Sequence, residues 1–189
     1  YANTDWDKYF GSNSDTLKLI EKMQAFQPLS TLATVNGAAT VSEAYLVKEF
    51  IYDDSEYNSS LKKFMNTGTL DPYRTFYGKD NTRYLKGNYL YPVVKRSDLG
   101  NMSEKRLAES DKEKIIIGGM TKILECYYDC GEYLAGKSTT IVHTNPNLKY
   151  IVAVLNSKLM TFYYSHFFNS MSLAGGFFRI GAPQIKQLP

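Results

Sequence analysis

Residues Gly131 to Ser138 spell GEYLAGKS, which satisfies G-x-x-x-x-G-K-[ST], the pattern of a loop that cradles nucleotide phosphates. That chemistry needs more than the letters. The loop must leave a buried strand and open a helix, so that free amides and the helix dipole face the phosphates. Here the preceding LECYYDC ends at a polar turn, and the following TTIVHT is β-branched and stops at Asn145-Pro146, as a strand does. Glu132 also puts a carboxylate inside the would-be phosphate loop. The string is expected to be the return strand of a hairpin. The alternative is a P-loop-type nucleotide hydrolase using Gly131–Ser138 and Lys137. A helix opening at Gly136 would favour the hydrolase; a strand would favour the hairpin.

Other catalytic patterns are incomplete. A metal-dependent nuclease centre needs a carboxylate followed by [DE]-x-K to hold the metal and activate water. None of the 19 Asp and Glu residues has Lys two positions downstream. A methyltransferase acting on a base amine needs an [DNS]-P-P-[YF] loop and a glycine-rich cofactor loop. Asp71-Pro72-Tyr73 lacks the second Pro, and Gly118-Gly119 has no nucleotide-type continuation. His143 and His166 have no triad partners in view, and Cys126 and Cys130 suit packing at a turn. Two Cys and two His do not make a structural zinc site of the usual spacing. Reduced thiols in a cytoplasmic protein are expected, and no catalytic residue or metal site is assigned.

What remains is a set of cations, amides and hydroxyls able to hold phosphates and read base edges. Lys63, Asn66, Arg74 and Arg83 fall on or beside irregular segments. Lys122 follows Thr121, and Lys137 precedes Ser138 and Thr139, so each sits in a hydroxyl-plus-cation cluster suited to phosphate oxygens. Arg179 lies near the C-terminus. Charge is uneven: residues 1–60 hold 4 basic and 9 acidic residues, whereas residues 61–189 hold 18 and 10. A basic body suits a polyanion. Aromatics reach 14 %, including 16 Tyr, which suits half-buried strands or, on another reading, a protein-interaction surface.

The elements that must carry these residues form an α+β pattern: a mainly antiparallel sheet with packed helices, without repeats. At 189 residues, 43 % hydrophobic and 22 % charged, the chain can bury a core without staples. Short helices are expected over 14–25 and 42–50, with a weak strand over 29–35 ending at an Asn36-Gly37 turn. Strands are expected over 61–65, 83–85, 89–94 and 115–117, the second and third flanking Gly87-Asn88. Residues 122–128 and 132–143 are expected to pair across Asp129-Cys130-Gly131. Asn145 and Pro146 should start one long amphipathic helix whose buried face runs through Leu148, Ile151, Leu155, Leu159, Tyr163 and His166. Residues 177–180 should form a last strand. No run of 18 apolar residues and no signal peptide occurs, so no membrane partner is expected. A start at Tyr1 is expected of a piece cut from a longer protein.

Several strings, in this order, resemble one family. They are MNTGTLDPYR (65–74), YLKGNYLYP (84–92), KIIIGGMTKILECYYD (114–129), EYLAGKSTTIV (132–142), LKYIVAVLNSKLMTFYY (148–164) and LAGGFFRIGAPQIKQLP (173–189). Together they resemble the TaqI-like C-terminal specificity domain, the target recognition part of type IIG-like restriction-modification enzymes with an adenine-specific DNA methyltransferase. The likeness covers about residues 60–189, with a weaker match over 29–52. It implies a helical lead and domain start over 1–58 and the specificity domain over 59–189. It implies double-stranded DNA and the methyltransferase domain of the same chain as partners. S-adenosylmethionine, and magnesium where the host cuts, would belong to the full-length protein rather than to this segment, which would itself be non-catalytic.

Overall fold

The structure, a computed structural model, describes residues 14–189. The first 13 residues of the expected lead lie outside the described residues. The chain opens with helix α1 (Ser14–Gln24), strand β1 (Thr34–Gly37), helix α2 (Val41–Phe50), and strands β2 (Tyr52–Asp53) and β3 (Leu61–Met65). Two small hairpins follow, β4 (Leu70–Asp71) with β5 (Arg74–Thr75) and β6 (Thr82–Tyr84) with β7 (Gly87–Tyr89). Next come β8 (Pro92–Lys95), helix α3 (Glu104–Ser110), β9 (Lys114–Gly118), β10 (Met120–Thr121), β11 (Cys126–Asp129), β12 (Tyr133–Ala135) and β13 (Thr139–His143). Helices α4 (Leu148–Leu155) and α5 (Lys158–Phe167), strand β14 (Phe178–Arg179) and helix α6 (Ala182–Ile185) close the chain.

The class is α+β. One four-stranded sheet runs β1-β13-β9-β11 and is wholly antiparallel; the second runs β12-β3-β8-β2 with one parallel pair, β12 to β3. Alternation along the strands makes four layers. From the first sheet, Ile115, Ile117 and Val142 face α1, α4 and α5, while Ile116 and Ile141 face the second sheet. From the second sheet, Met65 and Tyr133 return that contact, while Phe64 and Leu134 turn outward to α2 and α3. A central strand buried on both faces explains the unbroken run Ile115-Ile116-Ile117.

Several sequence expectations fail, among them the strand over 89–94, which is divided between β7 and β8. The hairpin across residues 129–131 does not form. β11 folds back on β9, with Cys126 opposite Ile117 and Asp129 opposite Lys114; β12 crosses to the other sheet, and β13 returns to the far side of β9. The Asp129 carboxylate redirects the chain. It accepts from the amides of Glu132 and Tyr133 at 2.8 and 3.2 Å and pairs with the buried Lys114 ammonium at 2.5 Å. Gly131, at φ 94, lies against the carbonyl of Asp111, where a side chain would have no room.

The single long helix is two. Asn156 is drawn out to β11, accepting from Cys126 N at 2.9 Å and donating to Cys126 O at 2.8 Å. Ser157 then caps α5 by accepting from Met160 N. The step rotates the buried face to Met160, Tyr163 and Tyr164 and leaves Leu159 exposed. His166 is half-buried against the Phe162 ring. Pro146 lies before the helix, which Asn147 precedes. Finally, residues 29–31 form a 3-10 turn, and Asn36-Gly37 lie inside β1, paired with Ile141 and Thr140, rather than in a turn.

Candidate nucleic-acid interface

The β6–β7 hairpin turns through Leu85 and Lys86, both at positive φ (41 and 68). Thr82 and Tyr84 point inward and are buried; Arg83 and Asn88, register partners on the other face, are exposed. The hairpin is anchored at its base. Tyr84 packs on Phe64 with ring centroids 4.6 Å apart and donates its hydroxyl hydrogen to Ala44 O at 3.1 Å. Burial pushes that phenol up to about 12.

Facing the hairpin is the Gly136-Lys137-Ser138 turn that joins β12 to β13. Asn66, at the end of β3, connects the two sides. Its buried amide donates to Arg83 O at 3.1 Å, and a Cβ at Gly136 would lie 2.6 Å from its carbonyl oxygen. Only glycine lets the turn close on Asn66. Between hairpin and turn runs a groove of about 650 Å³. Arg83, Lys86 and Lys137 supply its cations, Asn88 and Ser138 further polar groups, and no carboxylate lines it.

The groove is tied to a second basic ribbon. Thr67 donates its hydroxyl to Ser138 O and accepts from Gly119 N at 3.0 Å. Gly119 O accepts from Ile180 N at 2.9 Å, holding β10 against β14. On that ribbon Lys122 sits 5.2 Å from the Phe177 ring centroid, and Arg179 is exposed. Beside the Thr67 link, half-buried Glu125 has its carboxyl pushed up to about 7 by burial and by the neighbouring charge of Asp71.

The predicted residues therefore separate. Asn66, Arg83, Lys137 and Ser138 meet in the groove, and Lys122 and Arg179 sit on the linked ribbon. Lys63 lies elsewhere, paired with Glu132 at 2.8 Å and ringed by Tyr57, Tyr77 and Tyr133. Arg74 pairs with Asp71 at 2.6 Å and lies over Phe76. Thr139 is buried and donates to Gly136 O at 2.7 Å. Asn66 does not project from a loop; it is a buried strut. Sequence reasoning missed Thr67, Glu125 and the pairing of Asn88 with Arg83. The last was legible had the tight turn been placed at 85–86 rather than 87–88.

The phosphate-loop alternative is overturned. Gly131 is followed by β12, and the Gly136–Ser138 turn by β13, so no helix opens. The Gly136 amide donates to Met65 O at 2.7 Å and has nothing left for a phosphate. A Cβ at Gly119 would lie 2.3 Å from Ser138 O, so glycine there lets β10 pass close to the Lys137–Ser138 turn. Among the described residues, no three His, Cys, Asp or Glu could hold a metal together, and no helix is long and apolar enough to cross a membrane. A separate apolar groove of about 580 Å³ lies on the layer of α1, α4 and α5, with Phe26, Tyr150 and Leu159 exposed along it.

Two packed sheets present a carboxylate-free basic groove beside an exposed ribbon, a surface suited to nucleic acid. The chain belongs to the TaqI-like C-terminal specificity domain family, whose model matches residues 73–189. It is thus a DNA sequence-specificity domain of restriction-modification enzymes. No curated protein matches it. The matched segment begins at Tyr73, yet β1 and β3, which precede it, are hydrogen-bonded into the two sheets.

Proposed function

We propose that this domain positions a separate adenine-specific DNA methyltransferase domain of the same chain, with or without an endonuclease, on a short double-stranded sequence. The setting is the cytoplasm of a bacterium. The observation that carries the reading is the groove in which Arg83, Lys86 and Lys137 converge with no opposing carboxylate. Lys86 and Lys137, so placed, neutralise phosphates and release counterions, which holds the duplex in register without reading it. Lys122 and Arg179 extend the contact along the linked ribbon. S-adenosylmethionine, and magnesium where the host cuts, would act in the separate domains; this chain contributes only the grip on DNA.

The test is anisotropy of labelled duplexes between 50 and 200 mM salt. Lys137→Ala should weaken binding to every duplex alike and lower the salt slope by about one unit. Unchanged affinity and slope in both Lys137→Ala and Lys86→Ala would remove the groove from the interface. Sequencing methylated adenines in cells that express the whole protein tests the enzymatic half of the proposal.

A further inference from the structure

We propose that the β6–β7 hairpin is the base-reading ribbon of this domain. It enters the major groove with Arg83 and Asn88 facing neighbouring base pairs and with Leu85 at its tip against a thymine methyl. The inference rests on the DNA-binding reading above and deepens it.

Register comes first. Arg83 and Asn88 are directly opposed on the exposed face of the ribbon, while Thr82 and Tyr84 hold the other face in the protein. Opposed residues place their Cβ atoms about 4.5–5.5 Å apart, and base pairs rise about 3.4 Å along each strand. The two head groups therefore span adjacent base pairs. A two-stranded ribbon fits the major groove, about 12 Å wide, and not the minor groove, about 6 Å wide.

Chemistry comes next. Arginine pairs bidentately with guanine O6 and N7, and asparagine with adenine N6 and N7. Among the described residues neither the Arg83 guanidinium nor the Asn88 amide is engaged by another side chain, unlike Arg74, which Asp71 holds. The flanking Lys86 and Lys137 are placed for the phosphates on either side.

The tip is the third observation. A two-residue turn with both positions at positive φ favours Asn-Gly, yet here Leu85 and Lys86 occupy it at φ 41 and 68. Branched and long side chains resist that region, so the choice costs stability and persists where the side chains serve a contact. Leu85 is 37 % exposed at the point that would advance furthest into the groove. The base of the hairpin is rigid: Tyr84 is bonded to Ala44 O, Arg83 O receives the Asn66 amide, and Lys48 donates to the Tyr89 hydroxyl. Rigid mounting is what a reading head needs.

The experiment begins with the 189-residue chain and a randomised 20-bp duplex library, from which bound sequences are selected. Arg83→Ala, Asn88→Ala and Leu85→Ala should each weaken binding to the selected duplex about ten- to a hundredfold and change random-duplex affinity less than about threefold. Repeating the selection should show preference relaxed at guanine, adenine and thymine respectively. Asn88→Asp should move the preference from adenine towards cytosine, because a carboxylate accepts from the cytosine amine. The Leu85→Asn, Lys86→Gly double variant should melt at a higher temperature yet lose discrimination at the thymine. Equal losses on selected and random duplexes, or an unaltered preference in Asn88→Ala and Asn88→Asp, would overturn the ribbon while leaving DNA binding in place. A wild-type chain that binds duplexes without any sequence preference would also overturn the ribbon. Failure to bind any duplex would overturn both readings.

Discussion

Two lysine ammonium groups are sunk into this fold, and their partners explain why the chain turns where it does. Lys62 donates to Asp111 and to Gly131 O, each at 2.6 Å; Lys114 meets Asp129 at 2.5 Å and Ser110 O at 2.9 Å. Burial pulls the Lys114 ammonium down from its ordinary value, against the attraction of Asp129. Asp129→Ala would strand that charge and free two backbone amides, so urea unfolding should show a loss of about 3–5 kcal/mol. Glu125 behaves in the opposite sense. Burial raises its carboxyl to about 7, so the folded state favours the protonated form. The stability that protonation contributes is full below the ordinary value of 4.5 and is lost as pH rises through about 7. Melting curves of Glu125→Gln and the parent should therefore nearly coincide at low pH and separate at pH 8, with the variant higher. A constant gap across that range would show that the Glu125 carboxyl is not shifted.

At the scale of elements, glycine and a helix cap do different work. Gly119 passes between Ser138 O and Ile180 O, and a Cβ there would lie 2.3 Å from the first. Both neighbours are backbone, so Gly119→Ala must push the Lys137–Ser138 turn away from Thr67. Loss of thermal stability together with weaker duplex binding is expected, measured by melting and anisotropy on the same preparation. Ser157 lies where α4 hands over to α5, away from the basic groove. Ser157→Ala removes the cap of α5 and should cost about 1 kcal/mol in urea unfolding. DNA affinity should be unchanged. A binding defect in Ser157→Ala with an intact fold would mean that the helical layer takes part in the contact.

Across the whole molecule, the basic residues fall into engaged and available groups. Lys62, Lys63, Arg74 and Lys114 are consumed by ion pairs, whereas Arg83, Lys86 and Lys137 share one groove. Net charge alone, +3, would not distinguish them. The Gly-Lys-Ser string belongs to this groove as a turn between sheets. Calorimetric titration with magnesium-ATP should give no binding heat, since the Gly136 amide is already spent on Met65 O. A micromolar affinity lost in Lys137→Ala would revive the nucleotide reading.

Local pattern was enough for the class and for most elements. Ile115-Ile116-Ile117 demanded a doubly buried strand, TTIVH a strand rather than a phosphate-binding helix, and the ordered strings from 65 to 189 the family. Those features depend on periodicity and turn chemistry within a few residues of one another. Partnership does not. Whether 133–135 pairs with 126–129 or crosses to Lys63–Met65 depends on which apolar faces must be covered and on Asp129 and Lys114 meeting inside. The break after Leu155 likewise needs Cys126, thirty residues earlier, to receive Asn156. The groove unites positions 66, 83 and 137, and a cation becomes available only if no carboxylate folds onto it. Hydrogen-bond pairing and charge pairing over such separations are set by tertiary packing, so only the structure brings Arg83 and Lys137 into one groove and ties Arg74 and Lys63 to carboxylates.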